Sequence, residues 1–410
     1  MTVKFSGGRA AGKVAAMQKS KLAVITSHPI QYYAPVFRAL AGSDFLDLKV
    51  FYTWSQAADA QLFDRDFGQA VTWDIPLLTG YTHCFVRNVS DKPGTDHFGG
   101  LKNPTLQAEI ENWGAEAVLI YGWYSQSHLR ALRYFKGRIP VLFRGDSTLL
   151  DQRPRWRTAL RRVFLRWVYS HVDLAIAVGS NNRDYFAWCG LGPEKIALAP
   201  HSVDTRRFSG NATQDEGRAA DWRRERGIAA DQIVFLYAGK LQPKKDPLLL
   251  LEAQQALPPG AHLVFVGSGE LEEELRRRVA SRNDVHTLPF QNQSQMPWIY
   301  RIGDVYVLPS RGPGETWGLA LNEAMACARA VIASSKVGGA RDLIEPGDNG
   351  WIFTAGDLEA LTTVMRQAQV RGRAGLAHMG EVSLARSSRW STEASAECIL
   401  AAVQRALSRG

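Results

Sequence analysis

Seven residues separate Glu315 from Glu323 in Glu315-Thr-Trp-Gly-Leu-Ala-Leu-Asn-Glu323. A carboxylate accepts two hydrogen bonds, which suits the vicinal hydroxyls of a ribose or a hexose. Just before them, Asp304-Val-Tyr-Val-Leu308 is an apolar run of strand length, and Gly312-Pro-Gly314 forces a turn. From Trp317 to Cys327 helix formers dominate, so the local reading is strand, glycine-rich turn, helix. Such a helix start presents unpaired N–H groups and a positive dipole end to an anion such as a diphosphate. The same two glutamates could also do no more than favour and cap a helix N-terminus.

A second set lies earlier. The strand Ile233-Val-Phe-Leu-Tyr237 runs into Gly239, with Lys240 and Lys245 close behind. Two ammonium groups there could neutralise one leaving diphosphate. In the N-terminal half, Lys21–Thr26 reads as a buried strand and Ser27-His-Pro-Ile-Gln-Tyr-Tyr33 as the loop after it. Ligands of α/β sheets gather at such strand ends, which places His28 and Gln31 where a substrate could lie. The alternative for His28 is ordering of its own loop. Tyr121-Gly-Trp-Tyr124 follows another strand, so Tyr121 and Trp123 could stack on an acceptor sugar, although core packing is the commoner aromatic role. Arg144 and Asp146 follow the strand at 140–143; the arginine could meet a phosphate and the aspartate an acceptor hydroxyl.

Taken together, Leu308-Pro-Ser-Arg311, Glu315-x7-Glu323, Val337-Gly-Gly339 and Asp342-Leu-Ile-Glu-Pro-Gly-Asp-Asn-Gly350 resemble the retaining glycosyltransferases of family 4. The resemblance implies a GT-B fold: two Rossmann-like α/β domains whose parallel sheets face a central cleft. It implies that Glu315 meets the donor sugar and Glu323 the nucleotide ribose, with Lys240, Lys245 and Glu315 as the catalytic group. Gly239, Phe290, Gly314, Thr316, Trp317, Gly318, Leu319 and Gly339 would complete the donor site. His28, Gln31, Tyr121, Trp123, Arg144 and Asp146 would face the acceptor. Three positions depart from the family pattern: Lys240 replaces an arginine, Asp246 a glycine, and Arg144 stands about where a histidine is common. His201-Ser202 likewise replace asparagine-glycine.

The elements that must position these residues alternate strand and helix across 410 residues, more than one hydrophobic core usually serves. We expect a disordered leader at 1–20, an acceptor-binding domain at 21–208, a polar linker at 209–230, a donor-binding domain at 231–385 and a final helix at 386–410 returning to the first domain. A polar break should separate a helix at 357–370 from that last one. Gly267-Ser-Gly269 is a weak dinucleotide fingerprint, because Glu272 replaces the third glycine.

Charged residues make up 22% and hydrophobic ones 45%, as in ordinary globular proteins. No apolar run approaches the roughly 20 residues of a spanning helix, and the leader lacks a signal's apolar centre, so cytoplasmic placement is expected. Four dispersed cysteines (Cys84, Cys189, Cys327, Cys398) argue against a zinc site or a disulfide framework. No cofactor or metal is expected. The +9 charge invites anionic partners. Its densest cluster is Arg153–Trp167, where Trp156, Leu160, Val163, Phe164 and Trp167 share a helical face. That helix could lie on an anionic membrane or pack on the sheet with its arginines solvated. The expected partners are therefore a nucleotide-sugar donor and a saccharide or lipid-linked acceptor. A GT-B epimerase or phosphorylase is the enzymatic alternative. A nucleic-acid binder is the other, though no RNA-binding motif accompanies the charge.

Overall fold

The computed structural model describes residues 19–58, 62–64, 69–151 and 155–409. The expected leader up to residue 18, and Arg153 and Pro154 of the basic cluster, lie outside the described residues.

The N-terminal half contains β1 (Ser20–Thr26), α1 (Ala34–Ala41), β2 (Leu46–Tyr52), a small antiparallel pair of β3 (Leu62–Asp64) and β4 (Gln69–Val71), and β5 (Thr82–Phe85). It continues with α2 (Leu106–Trp113), β6 (Ala117–Tyr121), α3 (Gln126–Phe135), β7 (Val141–Gly145), α4 (Arg155–Tyr169), β8 (Leu174–Ala177), α5 (Ser180–Trp188) and β9 (Ile196–Leu198). These strands form a seven-stranded parallel sheet in the order β5-β2-β1-β6-β7-β8-β9. Val24 of β1 sits in register with Val50 and Leu119 of its neighbours. Both sheet faces are covered, and so the strands read as continuous apolar runs.

The chain then crosses through α6 (Thr205–Ser209) and α7 (Ala212–Glu225) into β10 (Ile233–Ala238), α8 (Pro247–Gln255), β11 (Ala261–Val266), α9 (Glu272–Val279) and β12 (Val285–Leu288). After α10 (Met296–Ile302) come β13 (Val305–Leu308), α11 (Leu319–Ala326), β14 (Ala330–Ser334), α12 (Ala340–Leu343), β15 (Gly350–Phe353), α13 (Leu358–Ser387) and α14 (Thr392–Leu407). The second sheet has six parallel strands, β12-β11-β10-β13-β14-β15. Two parallel sheets flanked by helices face one cleft, the expected GT-B architecture.

Two stretches differ from expectation, and a third bears on a question left open. The polar segment at 209–230 is mostly α7, which packs into the second core through Ala219 and Trp222. It is fastened there by the buried bidentate pair of Arg223 with Asp304. Its apolar residues are few but share one face, which is why it looked like a linker. The polar break after residue 370 is confined to a kink at Gly372 (φ 67°, ψ 169°) inside α13, and the helical stretch beyond it buries Leu376 and Met379.

The third stretch is α4. On the face left open between the sheet and a membrane, Leu160 is 66% exposed, Val163 69%, Phe164 44% and Trp167 42%. The sheet instead takes Leu165, Val168 and Tyr169. The helix carries two apolar stripes, and only one can reach the core.

Candidate active site

Loops leaving the C-terminal ends of both sheets enclose a cavity of about 1340 Å³ between the halves. His28, Gln31 and Tyr32 enter from the loop after β1, Trp54 from the loop after β2. From the other side come Gly239, Lys240 and Lys245 after β10, Phe290 and Gln291 after β12, and Glu315, Gly318, Leu319, Ala320 and Glu323 after β13. Lys240, Lys245, Glu315 and Glu323 thus share one hollow.

Local packing explains how each is held. Tyr237 and Tyr306 are fully buried, and their hydroxyls donate to the carbonyls of Lys240 (2.6 Å) and Ala238 (3.1 Å). This fixes the turn that carries Lys240. Gly267, at φ 138°, lets the loop after β11 cross that turn; a Cβ there would lie 2.0 Å from the Gly239 carbonyl oxygen. Lys245 pairs with the Glu315 carboxylate, which also accepts the Ser310 hydroxyl at 2.7 Å.

Helix α11 starts later than expected because Gly318 caps it in a left-handed conformation (φ 91°). Gly318, Leu319 and Ala320 nevertheless line the cavity, so the helix's first turn faces it. Glu323 is only 3% exposed. Its Oε2 accepts the Tyr300 hydroxyl at 2.6 Å, and the Tyr32 hydroxyl lies beside the carboxylate. Burial raises its pKa, opposed by the Tyr300 hydrogen bond, the charge of Arg207 and the Tyr32 hydroxyl. The pKa of His28 is pushed down to about 4 by burial, so its ring is neutral.

Other expected site residues lie elsewhere. Gly314 N–H donates to Asp151 (2.7 Å) and Thr316 to Asp146 (2.6 Å), so both sit on contacts between the halves. Trp317 is buried, donates to Asn322 (2.9 Å) and packs against His201 and Trp390. Gly339 lies tight against that indole; a Cβ would be 2.9 Å from it. Tyr121 packs on Tyr33 and Phe37, and Trp123 on Phe164, away from the cavity. Arg144 ends inside β7, one residue beyond the strand expected, with its buried guanidinium donating to the carbonyls of Ala199 (3.0 Å) and Pro200 (3.1 Å). It lines no cavity.

Sequence reasoning missed Tyr32, Trp54, Trp73, Asp96 and Tyr300, all of which line the hollow. Tyr32 belongs to the loop already singled out, and Trp54 stands two residues past the end of β2, so both had a positional signal. Tyr300 had none: nothing local marks a tyrosine on α10 as the partner of a glutamate on α11. Among the described residues, no group of His, Cys, Asp and Glu is placed to hold a metal ion. No helix among them is long and apolar enough to cross a membrane.

Comparison with known proteins agrees with this geometry. The profile of the family described as glycosyl transferases group 1 matches residues 219–369, the stretch from α7 to α13. The D-inositol 3-phosphate glycosyltransferase of Segniliparus rotundus is 30% identical over 235 residues, 53% of this chain and 49% of that protein. That match therefore spans about half the relative's length. The D-inositol 3-phosphate glycosyltransferase of Geodermatophilus obscurus is 31% identical over 366 residues, covering 78% of this chain and 77% of the relative. Among solved structures, Anabaena HepE in complex with UDP and glucose shares the fold, with a TM-score of 0.66 at 18% identity over 94% of this chain and 99% of that one. With the second relative matched over more than two thirds of both chains, and the profile lying on the half that carries the lysines and glutamates, the chain belongs to the glycosyl transferases group 1 family.

Proposed function

We propose that the protein moves a sugar from a nucleotide-diphosphate-sugar to a hydroxyl acceptor with retention at the anomeric carbon. The observation that carries this reading is the single hollow shared by Lys240, Lys245, Glu315 and Glu323. The Glu323 carboxylate, on the cavity lining, would accept a ribose hydroxyl. Lys240, Lys245 and the first turn of α11 would hold the diphosphate. A diphosphate drawing Lys245 toward itself would loosen its pair with Glu315, freeing that carboxylate for the sugar's hydroxyls. HepE, bound to UDP and glucose, supports a donor of this class.

The acceptor oxygen would attack the anomeric carbon on the face from which the diphosphate leaves. As that bond forms, the bond from the anomeric carbon to the β-phosphate oxygen breaks. Its electrons pass to the phosphate, which takes the acceptor's proton. We place the acceptor among glycans or lipid-linked saccharides of cell-surface polysaccharide synthesis. The exposed face of α4, flanked by Arg161, Arg162 and Arg166, would meet an anionic membrane at the cytoplasmic side.

A panel of nucleotide-sugars titrated by calorimetry tests the core of this reading. One donor should bind, and Glu323→Ala should weaken it about 10- to 100-fold, the loss of a charge-assisted hydrogen bond. Lys245→Ala should lower turnover of the same donor. Wild-type affinity and turnover in both variants, each with an unchanged melting temperature, would refute the site. Isomerisation of the donor without an acceptor would instead identify an epimerase.

A further inference from the structure

Two adjacent tyrosines in the loop after β1 serve opposite halves of the molecule. Tyr33 packs on Tyr121, with ring centroids 4.8 Å apart, and joins the first core. Tyr32 turns across the cleft, and its half-buried ring packs on the cluster of the second half that holds Tyr300 and Leu321. Its hydroxyl comes to rest beside the Glu323 carboxylate. Burial and the Glu323 charge raise the pKa of the phenol well above its ordinary value, so the hydroxyl keeps its proton and donates. Tyr32, Tyr300 and Glu323 all line the same cavity.

The other groups around Glu323 lie with the donor half. Tyr300, on α10, donates to Oε2 at 2.6 Å. Arg207, whose charge acts on both Glu323 and Tyr32, is anchored by the main-chain carbonyl of Gln293 (2.6 Å) and by its side-chain oxygen (2.7 Å). The carboxylate therefore keeps its place if Tyr32 withdraws. A glutamate only 3% exposed on a cavity wall is covered by its neighbours, and Tyr32 is a neighbour that the opposite half supplies. A buried acceptor is costly to leave unmatched, and a phenol hydroxyl matches it as a ribose hydroxyl would.

We propose that Tyr32 is a displaceable stand-in for a ribose hydroxyl: it occupies Glu323 until a nucleotide binds, and the ribose diol then takes its place. The exchange is favourable because the diol offers two hydroxyls for the one that leaves. It also lowers the apparent affinity, which falls with the fraction of molecules whose Glu323 is open to the ligand. Tyr32 is thus a positioning residue of the donor site, supplied by the acceptor half and acting through Glu323. The proposal rests on the reading of Glu323 as the group that holds the ribose.

Calorimetric titration of the full chain with UDP, GDP, ADP and CDP selects a nucleotide, and its 2′,3′-dideoxy analogue is titrated beside it. Tyr32→Phe, which loses only the hydroxyl, should bind the ribonucleotide about 3- to 10-fold more tightly than the wild type. A residue that touched the nucleotide directly, or merely shaped the wall, would weaken binding when trimmed, so the sign decides. In both proteins the dideoxy analogue should bind at least about tenfold more weakly than the ribonucleotide. A second measurement needs no variant. In the wild type the N–H groups of Tyr33 and Ala34 both donate to the Ile30 carbonyl at 3.0 Å. Saturating nucleotide should speed hydrogen exchange of these amides at least about twofold, as the turn loses its anchor across the cleft. Unchanged or weaker ribonucleotide binding in Tyr32→Phe, or unchanged or slower exchange in the wild type, overturns the stand-in; a persisting preference for the ribonucleotide then leaves Glu323 as the ribose group. Equal binding of ribonucleotide and dideoxy analogue in both proteins, or binding of none of the four nucleotides, overturns the donor reading and the stand-in together.

Discussion

A carboxylate withdrawn from water needs partners, and Glu323 has the Tyr300 hydroxyl on Oε2 and the Tyr32 hydroxyl beside it. Burial raises its pKa, and the two tyrosine hydroxyls and the charge of Arg207 hold that rise back. The histidines show the same physics with the opposite sign. Burial lowers His28 to about 4, and burial with the nearby Arg144 lowers His201 to about 4 against the pull of Asp146. As pH falls below the ordinary 6.5, the unfolded chain takes up these protons first, so stability is full above 6.5 and is lost between 6.5 and 4. Each such imidazole contributes up to about 1.4 kcal/mol per pH unit in that window. Glu323, with a raised pKa, pulls the other way, so the informative readout is a difference. Urea unfolding from pH 7.5 to 4.5 should show a shallower slope in His201→Asn than in the wild type. Equal slopes would mean that His201 is protonated in the folded protein.

At the scale of elements, α4 departs most from the usual rule. Helices in globular proteins turn their apolar stripe inward, yet here Leu160, Val163, Phe164 and Trp167 face out while Arg133 stacks on the Trp167 ring at 5.7 Å. Phe164 touches Trp123, and Trp123 touches the exposed Tyr124, which lies beside Phe98, so the apolar surface spreads beyond the helix. Sedimentation with vesicles should show binding to phosphatidylglycerol-rich membranes but not to pure phosphatidylcholine. Phe164→Ser with Trp167→Ser should reduce that binding at least about tenfold, since two large apolar groups are worth several kcal/mol when inserted. The melting temperature should fall only modestly, as both side chains are nearly half exposed and neither belongs to the buried core. Unchanged vesicle binding would remove the membrane from the account. Helices α7 and α13 make the complementary point. Each looked polar in sequence yet supplies buried residues, because a handful of apolar positions on one face suffices when a sheet is there to receive them.

Across the whole molecule, contacts stitch the two halves together around the cavity. Ser180 donates to Asp342, Asn181 to the Gly338 carbonyl (2.8 Å), and Thr316 to Asp146. At another edge Ser294 bonds Asp74, and Asn292 reaches the Thr72 carbonyl at 2.6 Å. Helix α14 closes the circuit: it follows the C-terminal half in sequence but packs on α1 and the first core through Ala396, Ile399, Ala402, Val403 and Ala406. Ile399 is fully buried there. Ile399→Ala should therefore lower unfolding free energy by about 2–5 kcal/mol, the range for a core truncation of this size. Urea denaturation measures it, and a change below about 0.5 kcal/mol would mean that α14 does not hold the first domain.

The amino-acid sequence alone determined the alternation of strand and helix, the two-sheet architecture and the residues of the lysine and glutamate motifs. These follow from local quantities: apolar runs of strand length, glycines where the chain must turn, and charges at fixed spacing. Tertiary structure decided which of the other candidates reach the cavity. Arg144 and Trp317 sit on strand and helix ends just as Lys240 and Leu319 do, but neighbouring carbonyls and rings from distant segments claim their side chains. The companions of Glu323 were settled the same way, since Tyr300 and Tyr32 meet it only when separate helices and separate domains pack. A side chain's surroundings are set by what lies across the fold from it, and chain order carries no record of that.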